Sequence, residues 1–187
     1  MNKILSHIID YYCRGKTWWL YVPLFAYYSY ILYRHITDPL YSSLIGYFSI
    51  TIHELGHPMF SFDGQLLQSA GGTITEFAVP LLLCIYFIRR LDLVGFTFPL
   101  SMIVMSLFHT ATYIDDADCI CLSYISMGPT TEDITNHDWY VILTTFNLLE
   151  FDEILALLLR MTGMVLMLVN IGFGIYLMVR MARLQKT

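Results

Sequence analysis

His53-Glu54-Leu55-Gly56-His57 sets two imidazoles and a carboxylate at metal-binding spacing inside an apolar stretch of the chain. On a helix, residues four apart share a face, so His53 and His57 can hold one zinc ion while Glu54 stands beside them to move protons. An ionisable cluster in a lipid-buried helix is costly unless paired or metal-bound, which makes this pentad a functional site. The chemistry it suits is hydrolysis by metal-activated water.

A catalytic zinc ordinarily takes three protein ligands and keeps a fourth position open. The third ligand is expected among Asp115, Asp116 and Asp118, at the end of a later apolar segment that emerges where the pentad's segment does. Asp116 is preferred, because seven residues nearly restore the angle on a helix and put it on the face of His109, with Thr112 one turn before it. His137-Asp138-Trp139 is the alternative source: His137 as a ligand, a water-orienting group or a donor to an oxyanion, and Asp138 as a partner of a ligand. Cys119 and Cys121 form a CxC, a weak metal signal. Glu76 and Arg160 are expected to neutralise each other across two helices.

The elements that must position these residues are read from composition. The chain is 57 % hydrophobic and 13 % charged, whereas a water-soluble domain has about a quarter of its residues charged. The fold class expected is therefore all-α: a polytopic membrane bundle of about five transmembrane helices in a single domain, 1–187. Residues 1–16 read as an interfacial helix rather than a removable signal peptide, with Ile4, Leu5, Ile8, Ile9 and Tyr12 at helical spacing. Residues 17–113 hold four spans. The second opens at Asp38-Pro39 and carries the pentad towards its far end, with Pro58 ending the helix; the third begins after Gly71-Gly72 and closes at Arg89-Arg90. Residues 114–153 form an acidic loop or cap with nine of the fifteen carboxylates and no Lys or Arg, and within it 139–149 reads as a short interfacial or re-entrant helix. Residues 154–180 make the last span. Counting basic flanks places Arg34, Arg89, Arg90, Arg180, Arg183 and Lys186 inside, Lys3, Arg14 and Lys16 outside, and the acidic segment outside.

With HExxH on a spanning helix, Gly71-Gly72 ahead of the next and an aspartate from a later one, the chain resembles the site-2 protease type of intramembrane zinc metalloprotease. It is similar, over residues 50 to 150, to short bacterial membrane proteins that carry HExGH, a Gly-Gly turn, a Tyr-Ile-x-Asp-Ala stretch and His-Asp-Trp; here these are His53 to His57, Gly71-Gly72, Tyr113 to Ala117 and His137 to Trp139. That resemblance implies Asp116 as the third ligand and a bacterial inner membrane as the location. The chain lacks the Leu-Asp-Gly or Asn-Pro-Asp-Gly form of the aspartate motif and the Gly-Pro-x-x-Asn helix start.

The function expected is hydrolysis of a peptide bond in a membrane protein or peptide, with zinc on His53, His57 and Asp116. Glu54 serves as general base and His137 hydrogen-bonds the tetrahedral intermediate. The partners are the lipid bilayer and the substrate; no nucleic acid is expected. The rival readings are a zinc hydrolase acting on a lipid amide or ester, and a non-catalytic metal-binding membrane protein. Six scattered histidines cannot supply the clusters of a di-iron desaturase.

Overall fold

The computed structural model describes residues 3–118 and 137–185. Among these there are seven α-helices and no strand: α1 (Lys3–Cys13), α2 (Val22–Thr37), α3 (Leu44–Met59), α4 (Gly64–Arg89), α5 (Leu93–Asp115), α6 (Asp138–Thr145) and α7 (Asp152–Leu184). Three stretches are long and apolar enough to cross a membrane: Gly64–Arg89, Leu93–Asp115 and Leu149–Leu184. The most apolar window of the last is only 22 % buried within the protein, so Leu157, Leu158, Met161, Val165 and Leu168 are left exposed. Such a surface would be a liability in water and is ordinary against lipid.

α5 is the central post. It packs against α3, α4 and α7, and Val104, Met105, Phe108 and Ala111 are buried along it. Close helix approach comes from small residues, as membrane bundles require. The Phe25 ring of α2 occupies the space that a Cβ on Gly174 of α7 would take, and the Phe108 ring would stand 3.0 Å from a Cβ on Gly163. Buried Asn170 of α7 donates its side-chain N–H to the Thr97 carbonyl at 3.0 Å and so ties α7 to α5.

The two ends of the bundle differ in charge. At one end Asp10 of α1 pairs with Arg180 of α7, Tyr12 donates to Asp92 at 2.7 Å, and Gln185 donates to the Lys16 carbonyl at 3.0 Å. The N-terminal segment, the α4–α5 turn and the end of α7 therefore lie together, and Arg14, Lys16, Arg89, Arg90, Arg180 and Arg183 share that end. This corrects the expected separation of Arg14 and Lys16 from Arg89, Arg90 and Arg180. Arg34 belongs to the other end with α2's last turn, where Thr112 of α5 reaches the Pro39 carbonyl.

The expected second span, starting at Asp38-Pro39, is not one helix. Asp38 C-caps α2 and accepts from the Leu40 N–H at 3.1 Å in a turn instead of N-capping the next helix. The chain then runs non-helically to Ser43, the true N-cap, whose hydroxyl accepts from Gly46 N at 3.0 Å and lies 3.2 Å from the Met105 sulfur. Since Met105 stands midway along α5, α3 starts inside the bundle and rises beside α5. It closes at Met59, just after Pro58, with the Phe60 N–H turned back on the Gly56 and His57 carbonyls. The Gly71-Gly72 pair likewise does not make the turn into the next helix: α4 begins at Gly64, and both glycines are helical.

Candidate metal centre

Two helix faces meet at Gly56, Gly71 and Gly72. A Cβ on Gly56 would strike the Gly71 carbonyl, and one on Gly72 would sit 2.5 Å from His53 Nε2. The glycines inside HExGH and in the later pair thus serve one purpose, bringing the α4 backbone directly under the His53 ring. α3 and α4 consequently form one of the closest helix pairs in the bundle.

Above that contact the site is built by hydrogen bonds at the far nitrogen of each imidazole. His53 Nδ1 lies 3.1 Å from Glu76 Oε2 of α4, and His57 Nδ1 lies 2.9 Å from the Gln68 carbonyl. Both partners are acceptors, so each Nδ1 carries the proton and each Nε2 is left to face inward. Between the two Nε2 atoms stands Asp138, its Oδ2 at 3.3 Å from His53 and 3.2 Å from His57. His53, His57 and Asp138 are one of two groups of possible metal ligands among the described residues.

The donor set fits zinc. Tetrahedral ligands at bond lengths of about 2.0–2.1 Å stand roughly 3.3 Å from one another, which matches the two Nε2–Oδ2 separations. The oriented Nδ1–H groups, one on a carboxylate and one on a backbone carbonyl, are the outer partners that metal-binding histidines carry. The second group, His53, Glu76 and His109, uses His53 through Nδ1. Glu76 Oε2 lies 3.2 Å from His109 Nδ1 as well, so it is better described as an acceptor shared by two imidazole N–H groups that holds both rings.

Asp138 reaches the site because His137 starts α6. His137 Nδ1 accepts from the Tyr140 N–H at 3.2 Å as the N-cap, and α6 packs on α4 and α5. Burial opposes charge on Asp138, but the two histidines outweigh it and hold its carboxyl below the ordinary carboxylate value. Burial holds the His137 imidazole below its usual value, against the opposing pull of Asp116 and Asp138.

The sequence-derived residues are therefore distributed as follows. His53 and His57 come together as expected. Asp116, expected as the third ligand, is buried beside His137, its Oδ2 3.9 Å from His137 Nε2, and belongs to neither group of ligands. α5 ends at Asp115 and Asp116 is its C-cap, already in a turn, so the face that Asp116 would share with His109 on a continued helix is not the one it takes. His137, expected at the reacting carbonyl, is 1 % exposed and has its Nδ1 engaged in capping α6. Glu54 is exposed on α3, next to His53 and three residues from His57. Asp115 is bound to Arg160 at 2.8 Å, so Arg160 does not neutralise Glu76, whose partners are histidines. Asp118 is exposed, and Cys119 and Cys121 lie outside the described residues. Sequence reasoning missed the roles of Glu76, Gln68 and His109, and it gave Asp138 only a supporting part; the carboxylate inside His-Asp-Trp was the available signal. No protein-family model, curated protein or solved structure matches the chain.

Proposed function

We propose that this chain is a zinc-dependent hydrolase of the membrane that cuts a peptide bond in a membrane-embedded substrate. The observation that carries the reading is the pair of inward Nε2 atoms with Asp138 between them, next to an exposed carboxylate, Glu54, for which the described residues form no hydrogen bond or ion pair. His53, His57 and Asp138 would hold the metal. Bound there, zinc supplies Lewis acidity, making a water molecule more acidic and a carbonyl more electrophilic. Glu54 accepts the water's proton on its carboxylate and delivers it to the nitrogen of the departing amine, as the hydroxyl joins the carbonyl carbon and the C–N bond breaks. Glu76 and the Gln68 carbonyl keep the two imidazoles from turning. Because a helical substrate has its carbonyls engaged, it must unwind locally to be cut.

The bundle is assigned four crossings, by α2, α4, α5 and α7, with α1 at the basic interface and α3 entering from the metal-centre side without crossing. The basic end then faces the cytoplasm and the metal centre, with the described carboxylates Asp115, Asp116 and Asp138, faces outward. The support is the joining of α1 to the end of α7, and the placement of α3's start against the middle of α5.

Glu54→Gln tests the hydrolase reading. It keeps size and hydrogen bonding but removes the proton acceptor, so zinc content should remain that of wild type while cleavage of a co-reconstituted single-span substrate library falls by about 10²–10⁴-fold. Cleavage of lipid amides but no peptide, in a Glu54-dependent way, would retain the hydrolase and remove the peptide substrate. Equal activity of the two proteins on every substrate would remove both.

A further inference from the structure

A cavity of about 190 Å³ opens between the 39–43 stretch, α3 and α5. Its α3 wall is Gly46, Tyr47 and Ile50, and its α5 wall includes Met105, Phe108, His109 and Thr112. Both walls lead to the metal centre. On α3, His53 and Glu54 follow Ile50 by three and four residues, so the cavity and the pentad occupy consecutive turns of one face. On α5, the His109 ring packs at 5.3 Å from that of His53 and is held by Glu76. Whatever sits in the cavity is one helical turn from the groups proposed to perform hydrolysis.

The lining specifies what fits. No Asp, Glu, Lys or Arg borders the cavity among the described residues, and removing a charge from water with no partner there is unfavourable. The volume is below that of a site built for a whole small-molecule ligand, so it suits one side chain of a larger substrate. Leu40, Ile50, Met105 and Phe108 offer an apolar body, while Ser42 and Thr112 offer hydroxyls. His35 adds an independent sign: it borders the cavity, is 7 % exposed, stacks on Phe108 at 4.2 Å, and its buried Nε2 has no hydrogen-bond partner among the described residues. Buried polar atoms are seldom left so.

Resting on the hydrolase reading, we propose that this cavity is the subsite for a substrate residue flanking the scissile bond, one that is uncharged, with an apolar body and a hydrogen-bonding tip such as that of tyrosine. His35 pairs with the tip, and the α3 and α5 walls grip the body. The bond to be cut is thereby set beside Glu54.

The test uses the full chain reconstituted with single-span peptides that carry Tyr, Phe, Asp, Lys or Ala at each position flanking the bond that wild type cuts, with zinc measured in every protein. At one flanking position wild type should prefer Tyr over Phe and reject Asp and Lys. Ile50→Trp, which fills the cavity, should lower kcat/KM for the Tyr peptide at least about tenfold and for the Ala peptide much less, with zinc unchanged. His35→Phe, which keeps the stacking on Phe108 but removes the nitrogen, should abolish the preference of Tyr over Phe while leaving cleavage of the Phe peptide; it also serves if Ile50→Trp does not fold. Wild type that cleaves, with neither substitution altering the residue preference, overturns the subsite and leaves the hydrolase. Zinc-loaded wild type that cleaves no peptide overturns both.

Discussion

Asp138 and Asp116 are the two carboxylates between which the proposed third-ligand role is to be decided. Asp138 lies within 3.3 Å of both Nε2 atoms, whereas Asp116 lies beside His137. Zinc titration of alanine variants should separate them. Losing His53, His57 or Asp138 should weaken binding by more than the roughly 10–100-fold typical of losing an outer partner, and Asp116→Ala should bind zinc as wild type does. Weak binding by Asp116→Ala with normal binding by Asp138→Ala would return the ligand role to Asp116. Glu76→Gln should fall within the range for an outer partner, because an amide can still accept from one Nδ1–H but without charge. The pentad was legible in the sequence because its two imidazoles and carboxylate are local to one helix. Asp138 was not, since it is 85 residues from His53 and nothing but the docking of α6 brings it there.

At the scale of elements, the site depends on how closely α3 and α4 approach. The His53 ring is held at Nδ1 by Glu76 and a methyl group on Gly72 would sit 2.5 Å from its Nε2, so Gly72→Ala should cost about 1–3 kcal/mol of stability by overpacking and should also weaken zinc binding. Gly172→Ala is the control, because a Cβ there meets nothing within 4 Å; thermal unfolding and zinc titration of the pair check the expectation. A Gly72→Ala protein with wild-type zinc affinity would mean that the contact is slack. Periodicity and apolar length located the helices well, down to Pro58 near the end of α3, and they misread the punctuation between them. Asp38-Pro39 and Gly71-Gly72 look alike in sequence whether they start a helix, make a turn or admit a neighbouring backbone. Choosing among these needs the packing partner: Ser43 with its Met105 contact in the first case, His53 in the second. Glu76 and Arg160 were matched by sign and depth alone, while the helix faces that carry them turn towards different neighbours.

For the whole molecule, the joining of α1 to the end of α7 predicts that cysteines introduced near both termini are labelled from the same side of the membrane, and that one placed at Leu148, between α6 and α7, is labelled from the other. Labelling of the two termini from opposite sides would require an odd number of crossings and would break the Asp10–Arg180 contact. Basic residues could be counted from the sequence but not assigned to ends, because a helix such as α3, which starts beside the middle of α5, shifts the end to which every later flank belongs. Glu76 and the Gln68 carbonyl hold the two imidazoles through Nδ1, so on the zinc reading the fold itself, and not the ion, shapes the receptor. Loading and folding are then separate events: a chelator should strip the ion and leave helical content and the cooperative melt nearly intact, and added zinc should restore the filled state without a refolding step, the opposite of a zinc finger, which collapses when its ion is removed.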